Sequence, residues 1–180
     1  YIRLPSNGEY WAPGSLELSE TGEYPVYSMT AKDELMLKIP DALINGSATV
    51  KVLESCCPNI KDPWAMPAVD VDPVFIAIRL ASYGQGMDVT TTCPHCGDEQ
   101  EHTINLNVLL DNITPANYND SLSVDGLMFK FKPQTYRDVN KLNLATFEQR
   151  KLVANIVDAD IPDDEKKRLF DQYCPICLQR

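Results

Sequence analysis

Apolar positions along this chain change their period repeatedly, and each change marks an element. Ile2 and Leu4 alternate with Arg3 and stop at Pro5 and Asn7-Gly8, which reads as a strand ended by a turn. Ser15 to Ser19 and Glu23 to Met29 read as two more short strands, and Pro25 puts the second at a sheet edge because it has no N–H to give. The period then lengthens. Thr30 is placed to cap a short helix, Asp33 and Glu34 set negative charge at its positive end, and Pro40 stops it. Ser47 opens a second helical stretch with Val50, Leu53 and Cys57 on one face and Pro58 beyond its end.

Pro63, Trp64 and Pro67 mark a loop, and the clearest helix follows it. The pattern predicts Asp72 as cap, Pro73 as first residue, Val74 to Tyr83 as body and Gly84 in the left-handed position past the end. Phe75 to Ala81 is apolar nearly all round, so this helix is expected at the centre of the core. Met87 to Thr92 and Thr103 to Leu106 should be antiparallel strands joined by a cysteine-bearing turn. Ser121 to Val124 and Leu127 to Lys132 flank Asp125-Gly126, a hairpin signal. Thr135 then caps a helical region whose expected buried residues are Val139, Leu142, Phe147, Leu152, Val153 and Ile156. Pro162-Asp163-Asp164-Glu165 starts a last helix that leads to Cys174.

At 180 residues the chain has room for one domain, with about 70% of its surface buried on folding. Twenty-six acidic residues against 16 basic ones give a net charge of −10, which argues against nucleic acid as a partner. No apolar run approaches the ~18 residues of a spanning helix, and the opening does not pattern as a leader, so no membrane association is expected.

Six cysteines change the picture through their spacing. Cys93-Pro-His-Cys96 and Cys174-Pro-Ile-Cys177 are two similar frames, while Cys56 and Cys57 close a helical pattern and read as small buried apolar residues. In a Cys-x-x-Cys turn both thiolates converge on one ion while backbone N–H groups steady their charge; Pro94 and Gly97 favour the tight bend. Four sulfurs suit tetrahedral zinc, so Cys93, Cys96, Cys174 and Cys177 are the candidate metal ligands in a reducing compartment. The separation between the frames exceeds the roughly 15–20 residues of an ordinary ribbon, yet loop closure grows only with the logarithm of length. His95 or His102 could stand in for one sulfur. A redox dithiol uses the same frame, but at a helix N-terminus after a strand, a context missing here.

No phosphate loop, nucleophile elbow or zinc-protease helix is present. The acidic pairs Asp70/Asp72 and Asp158/Asp160 read as solvated caps and faces rather than as cation ligands. A zinc with four protein ligands leaves no open position for water, so no enzyme activity is expected. Tyr10, Trp11, Tyr24 and Tyr27 make the N-terminal strands the most aromatic stretch, and they are candidate partner-binding anchors or cover for the core's edge.

The fold class expected is α+β: short strands and hairpins, a central buried helix and C-terminal helices, stapled by a zinc-ribbon-like four-cysteine site. The expected division is 1–112, with strands, helical core and knuckle hairpin, and 113–180, with a hairpin and helices returning to the zinc, together one compact unit.

Five segments in order resemble the T4-type tailed-phage baseplate protein family. They are Arg3-Leu4-Pro5-Ser6-Asn7-Gly8, Met29-Thr30-Ala31-Lys32-Asp33-Glu34, Asn45-Gly46, Ile78-Arg79-Leu80-Ala81-Ser82-Tyr83-Gly84 and Cys93-Pro-His-Cys96-Gly97. The resemblance covers roughly residues 2 to 112; Cys174 and Cys177 fall on no motif of it. It implies a non-enzymatic part of a contractile-tail baseplate, a hub component or hub-assembly factor, with hub, baseplate or tail-tube proteins as partners and several copies in a symmetric assembly. The implied location is the virion tail, and the host cytoplasm during assembly. Two other readings remain open: a zinc-ribbon adaptor unrelated to virions, and a thiol oxidoreductase.

Overall fold

A computed structural model describes residues 1–159 and 161–173. The fold is α+β, mixing helices with short antiparallel strand pairs. The chain divides into two compact units, Tyr1–Asp138 and Val139–Arg180.

In the first unit β1 (Ile2–Arg3) pairs with β2 (Glu23–Tyr24), placing Ile2 opposite Tyr24. Both strands are shorter than the alternation predicts. Pro25 has no N–H and ends β2 after two residues. Ser15 to Ser19 forms no ladder: Leu16 makes one isolated bridge to Ile60, and Ser15 and Glu17 bond to the 59–62 loop. Apolar alternation there records burial of Leu16, not membership of a sheet.

Three helices follow. α1 (Ala31–Leu37) has a reciprocal cap, with Thr30 Oγ1 accepting from Asp33 N–H while the Asp33 carboxylate accepts from Thr30 N–H at 2.8 Å. α2 (Pro40–Ile44) has Pro40 at its first position, and α3 (Ser47–Cys56) buries Ala48, Val50, Val52, Leu53 and Cys56. The longest helix of this unit's core, α4 (Ala68–Tyr83), begins four positions before the predicted Asp72 cap. Its first turn is fixed by tertiary bonds, since Ala68 N–H reaches Gln134 O at 2.8 Å and the Asp70 side chain is buried. Pro73 therefore sits inside the helix, where it lacks a donor to the preceding turn. Asp70, Pro73, Val74, Ala77 and Ile78 form the buried stripe; Phe75, Ile76 and Leu80 are only half-buried, so the helix is covered on one side rather than all round. Val74, Ala77 and Ile78 of that stripe pack with Ile2, Leu4, Leu16, Tyr24, Val52, Leu53, Cys56, Cys57, Ile60 and Met66 into one core.

Beyond the core stand two hairpins. β3 (Gly86–Thr92) pairs with β4 (Glu99–Asn105), and Leu106 then opens α5 (Leu106–Asp111) instead of ending the strand. β5 (Ser121–Val124) pairs with β6 (Leu127–Lys130) across Asp125-Gly126, both at positive φ (51° and 80°) as a tight hairpin turn demands. Pro133 follows closely, and pairing stops at Lys130, before the predicted Lys132.

α6 (Tyr136–Asp158) begins at the end of the first unit, with Thr135 and Asp138 forming a second reciprocal cap. In the second unit Ile156 is buried as expected. Leu142, Phe147 and Leu152 are not: they are 60%, 48% and 37% exposed, because period alone does not say whether anything covers a helix face. α7 (Asp163–Tyr173) starts after Pro162 with three acidic residues in its first turn, and Lys166 Nζ donates to Val157 O at 2.9 Å. Asp160, Cys174 and Cys177 lie outside the described residues.

Candidate functional site

The first cysteine frame forms the bend between β3 and β4. Cys93 N–H donates to Asp98 O and Gly97 N–H donates to Cys93 O, both at 2.9 Å, so the chain folds back within six residues. Gly97 sits at φ +77°, a conformation a side chain would strain. The bend turns the backbone N–H groups of Cys96 and His95 toward the Cys93 sulfur. These donors, the Cys96 N–H first, hold the Cys93 thiol below its ordinary pKa against a small opposing desolvation. Cys93 is half-buried and Cys96 exposed, and both are free thiols. This is a turn that carries two sulfurs and stabilises negative charge on one of them.

The histidines occupy different places. His95 is exposed within the bend itself, while His102 pairs with Val89 on the ladder. His102 lies three steps along the strand from Glu99 at the ladder's end, roughly 10 Å, far beyond a zinc–nitrogen bond. Among the described residues no three His, Cys, Asp or Glu side chains converge as a metal group. The second predicted pair, Cys174 and Cys177, lies outside those residues. Cys56 and Cys57 are buried in the core, as their pattern suggested, and burial first of all pushes their thiols up to about 11 and about 12.

The four aromatic candidates divide. Tyr24 is buried in the core, and Trp11 is half-buried with its Nε1–H donating to Asp70 at 3.0 Å. Tyr10 meets Tyr118 edge-on at 5.6 Å and its hydroxyl accepts from Tyr118 N–H. Tyr27 alone of the four is largely exposed, at 59%.

Asp70 is the residue that sequence reasoning misplaced. Instead of a solvated face it is completely buried, accepting from Ser6 N–H at 2.9 Å, from the Ser6 hydroxyl and from Trp11. Burial drives its carboxyl above the ordinary range, and those three hydrogen bonds pull against it. The clamp fastens the N-terminal segment to α4. An open cleft of about 260 Å³ beside β1 includes Arg3, Leu80, Asn107, Leu110 and Asp111, and Arg3 is already paired to Glu23 at 3.0 Å.

The β5–β6 hairpin carries an exposed apolar face. Cross-strand partners Leu122 with Phe129 and Val124 with Leu127 share one face, and each of the four is more than 40% exposed. Phe131, next in the alternation, is 57% exposed.

The family model for the T4 bacteriophage base plate protein matches residues 13–172, most of the chain. This chain belongs to that family. No curated protein and no solved structure matches it. A T4-type base plate protein is a structural part of the phage tail and works in contact with other base plate proteins. The match takes in both hairpins and α6, well past the point where the sequence resemblance fades. Among the described residues, no helix of this base plate protein is long and apolar enough to cross a membrane.

Proposed function

We propose that this base plate protein acts in the hub region of a contractile tail, as a built-in component or as a factor that assembles the hub in the host cytoplasm. It acts through protein interfaces rather than through turnover. The observation that carries the reading is the set of short, solvent-facing apolar elements attached to a tied-down core. Two-stranded hairpins are marginal in water unless something packs on them. Leu122, Leu127, Phe129 and Phe131 of the second hairpin supply the area such packing needs, and exposed Tyr27 offers an aromatic anchor elsewhere.

A structural zinc is part of the proposal. The Cys93–Cys96 bend, with N–H groups toward sulfur, supports two thiolate ligands, and the equally spaced Cys174 and Cys177 supply the other two. Interrupting the gene and imaging the lysate by electron microscopy tests the role directly. The expected result is tails without complete baseplates, or no tails, restored by the gene in trans. Normal contractile tails would overturn it.

A further inference from the structure

The chain's own hydrogen bonds hold the β3–β4 bend in shape. Ladder pairs from Gly86 with Asn105 up to Thr92 with Glu99 fix its two ends one strand spacing apart. Cys93 N–H to Asp98 O and Gly97 N–H to Cys93 O close it, with Gly97 at φ +77°. Inside the bend, Cys96 N–H and His95 N–H donate to the Cys93 sulfur, and the Cys96 side chain bonds the same atom. The two sulfurs are therefore neighbours on a fixed backbone. Pro94, His95, Cys96 and Gly97 are exposed, so an ion reaches them directly from solvent. Asp98 and Glu99 follow at once and add negative charge that draws a cation in.

The second frame differs at the position after its last cysteine. Gly97 follows Cys96, whereas Leu178 follows Cys177. Glycine takes the left-handed conformation at little cost and leucine does not, so the sequence suits this bend to the first frame. We propose that the Cys93–Cys96 bend holds a thiophilic divalent cation, zinc above all, by itself, and carries the larger share of the site's affinity. Its two sulfurs are already side by side, while donors from elsewhere in the chain must bear the entropy of closing a long loop. Two sulfurs leave two of zinc's four positions to water until further donors arrive. This inference rests on the zinc reading given above and adds to it the autonomy of the first frame.

Cobalt(II) titration of the full chain, reduced and stripped of metal, tests it through sulfur-to-cobalt charge-transfer absorption, with zinc displacement giving the affinity. Cys174→Ser with Cys177→Ser should still bind cobalt, with about half the wild-type charge-transfer intensity, two thiolates against four. Its affinity should fall at least about tenfold below wild type, and that of Cys93→Ser with Cys96→Ser at least about tenfold further. Circular dichroism confirms that each variant is folded. A wild-type chain that binds cobalt through sulfur, beside a Cys174→Ser/Cys177→Ser chain that does not, overturns this inference alone. Two double variants that bind equally overturn it as well. Full wild-type intensity in Cys174→Ser/Cys177→Ser would uphold it and remove the second frame from the site. A wild-type chain without cobalt–sulfur absorption overturns the zinc reading and this inference together.

Discussion

Asp70 and Asp33 are both buried carboxylates, yet their surroundings push them in opposite directions. Desolvation dominates at Asp70 and raises its pKa; at Asp33 burial also pushes upward, but bonds from Thr30 and Ser55 outweigh it and the pKa falls. The linkage differs accordingly. Between the unfolded carboxyl value and the raised folded value, native Asp70 holds a proton that the unfolded chain has lost, so its contribution falls as pH rises through that window. Asp33 contributes above the unfolded value and loses that contribution as pH drops through its lowered one. Urea unfolding from pH 7 down toward pH 4 should therefore show an acid-side gain in wild type that Asp70→Asn lacks. Asp70→Ala, which strands the Ser6 and Trp11 donors, should lose about 3 kcal/mol at neutral pH. Ser55→Ala, removing one bond to Asp33, should lose about 1 kcal/mol, with more of the loss at neutral than at acid pH. The sequence placed Thr30 and Asp33 correctly because a cap is local. It misplaced Asp70, whose partners Ser6 and Trp11 lie far away in the chain and leave no periodic trace.

Among the elements, those set by neighbouring residues were the legible ones. Asp125-Gly126 announced its hairpin, Thr135 its helix start, and Pro94 with Gly97 the knuckle bend. Elements set by distant contacts were not. Ser15 to Ser19 looked like a strand because Leu16 is buried, and α4 begins at Ala68 because the 134–136 segment holds its first turn. The apolar stripe of α6 predicted burial at Leu142 and Phe147, which stand exposed. The knuckle carries its own prediction. Gly97→Ala should strain the bend by about 1–3 kcal/mol and weaken metal uptake, since a left-handed residue would then carry a side chain. Metal analysis of the purified chain should find about one zinc, lost in Cys93→Ser and Cys96→Ser, with frame thiols that react only after chelation. A rapidly cycling disulfide at this pair would instead mark a redox site.

For the whole molecule, the family match and the exposed apolar surfaces bear on the same question, because a tail component needs surfaces that are finished by its neighbours. Sequence alone reached the baseplate family from five short segments, and the family model extends that assignment over most of the chain. Which apolar side chains stand exposed was not legible: three of the four aromatic candidates are tied into the chain's own structure, and the pattern of the second hairpin did not say that its apolar face stays open to solvent. Quantitative mass spectrometry of purified phage particles, alongside baseplate intermediates from infected cells, tests the baseplate role most directly. The account predicts this chain at a fixed ratio to known baseplate proteins in at least one of the two preparations. Its absence from both, in cells that express it, would contradict the account.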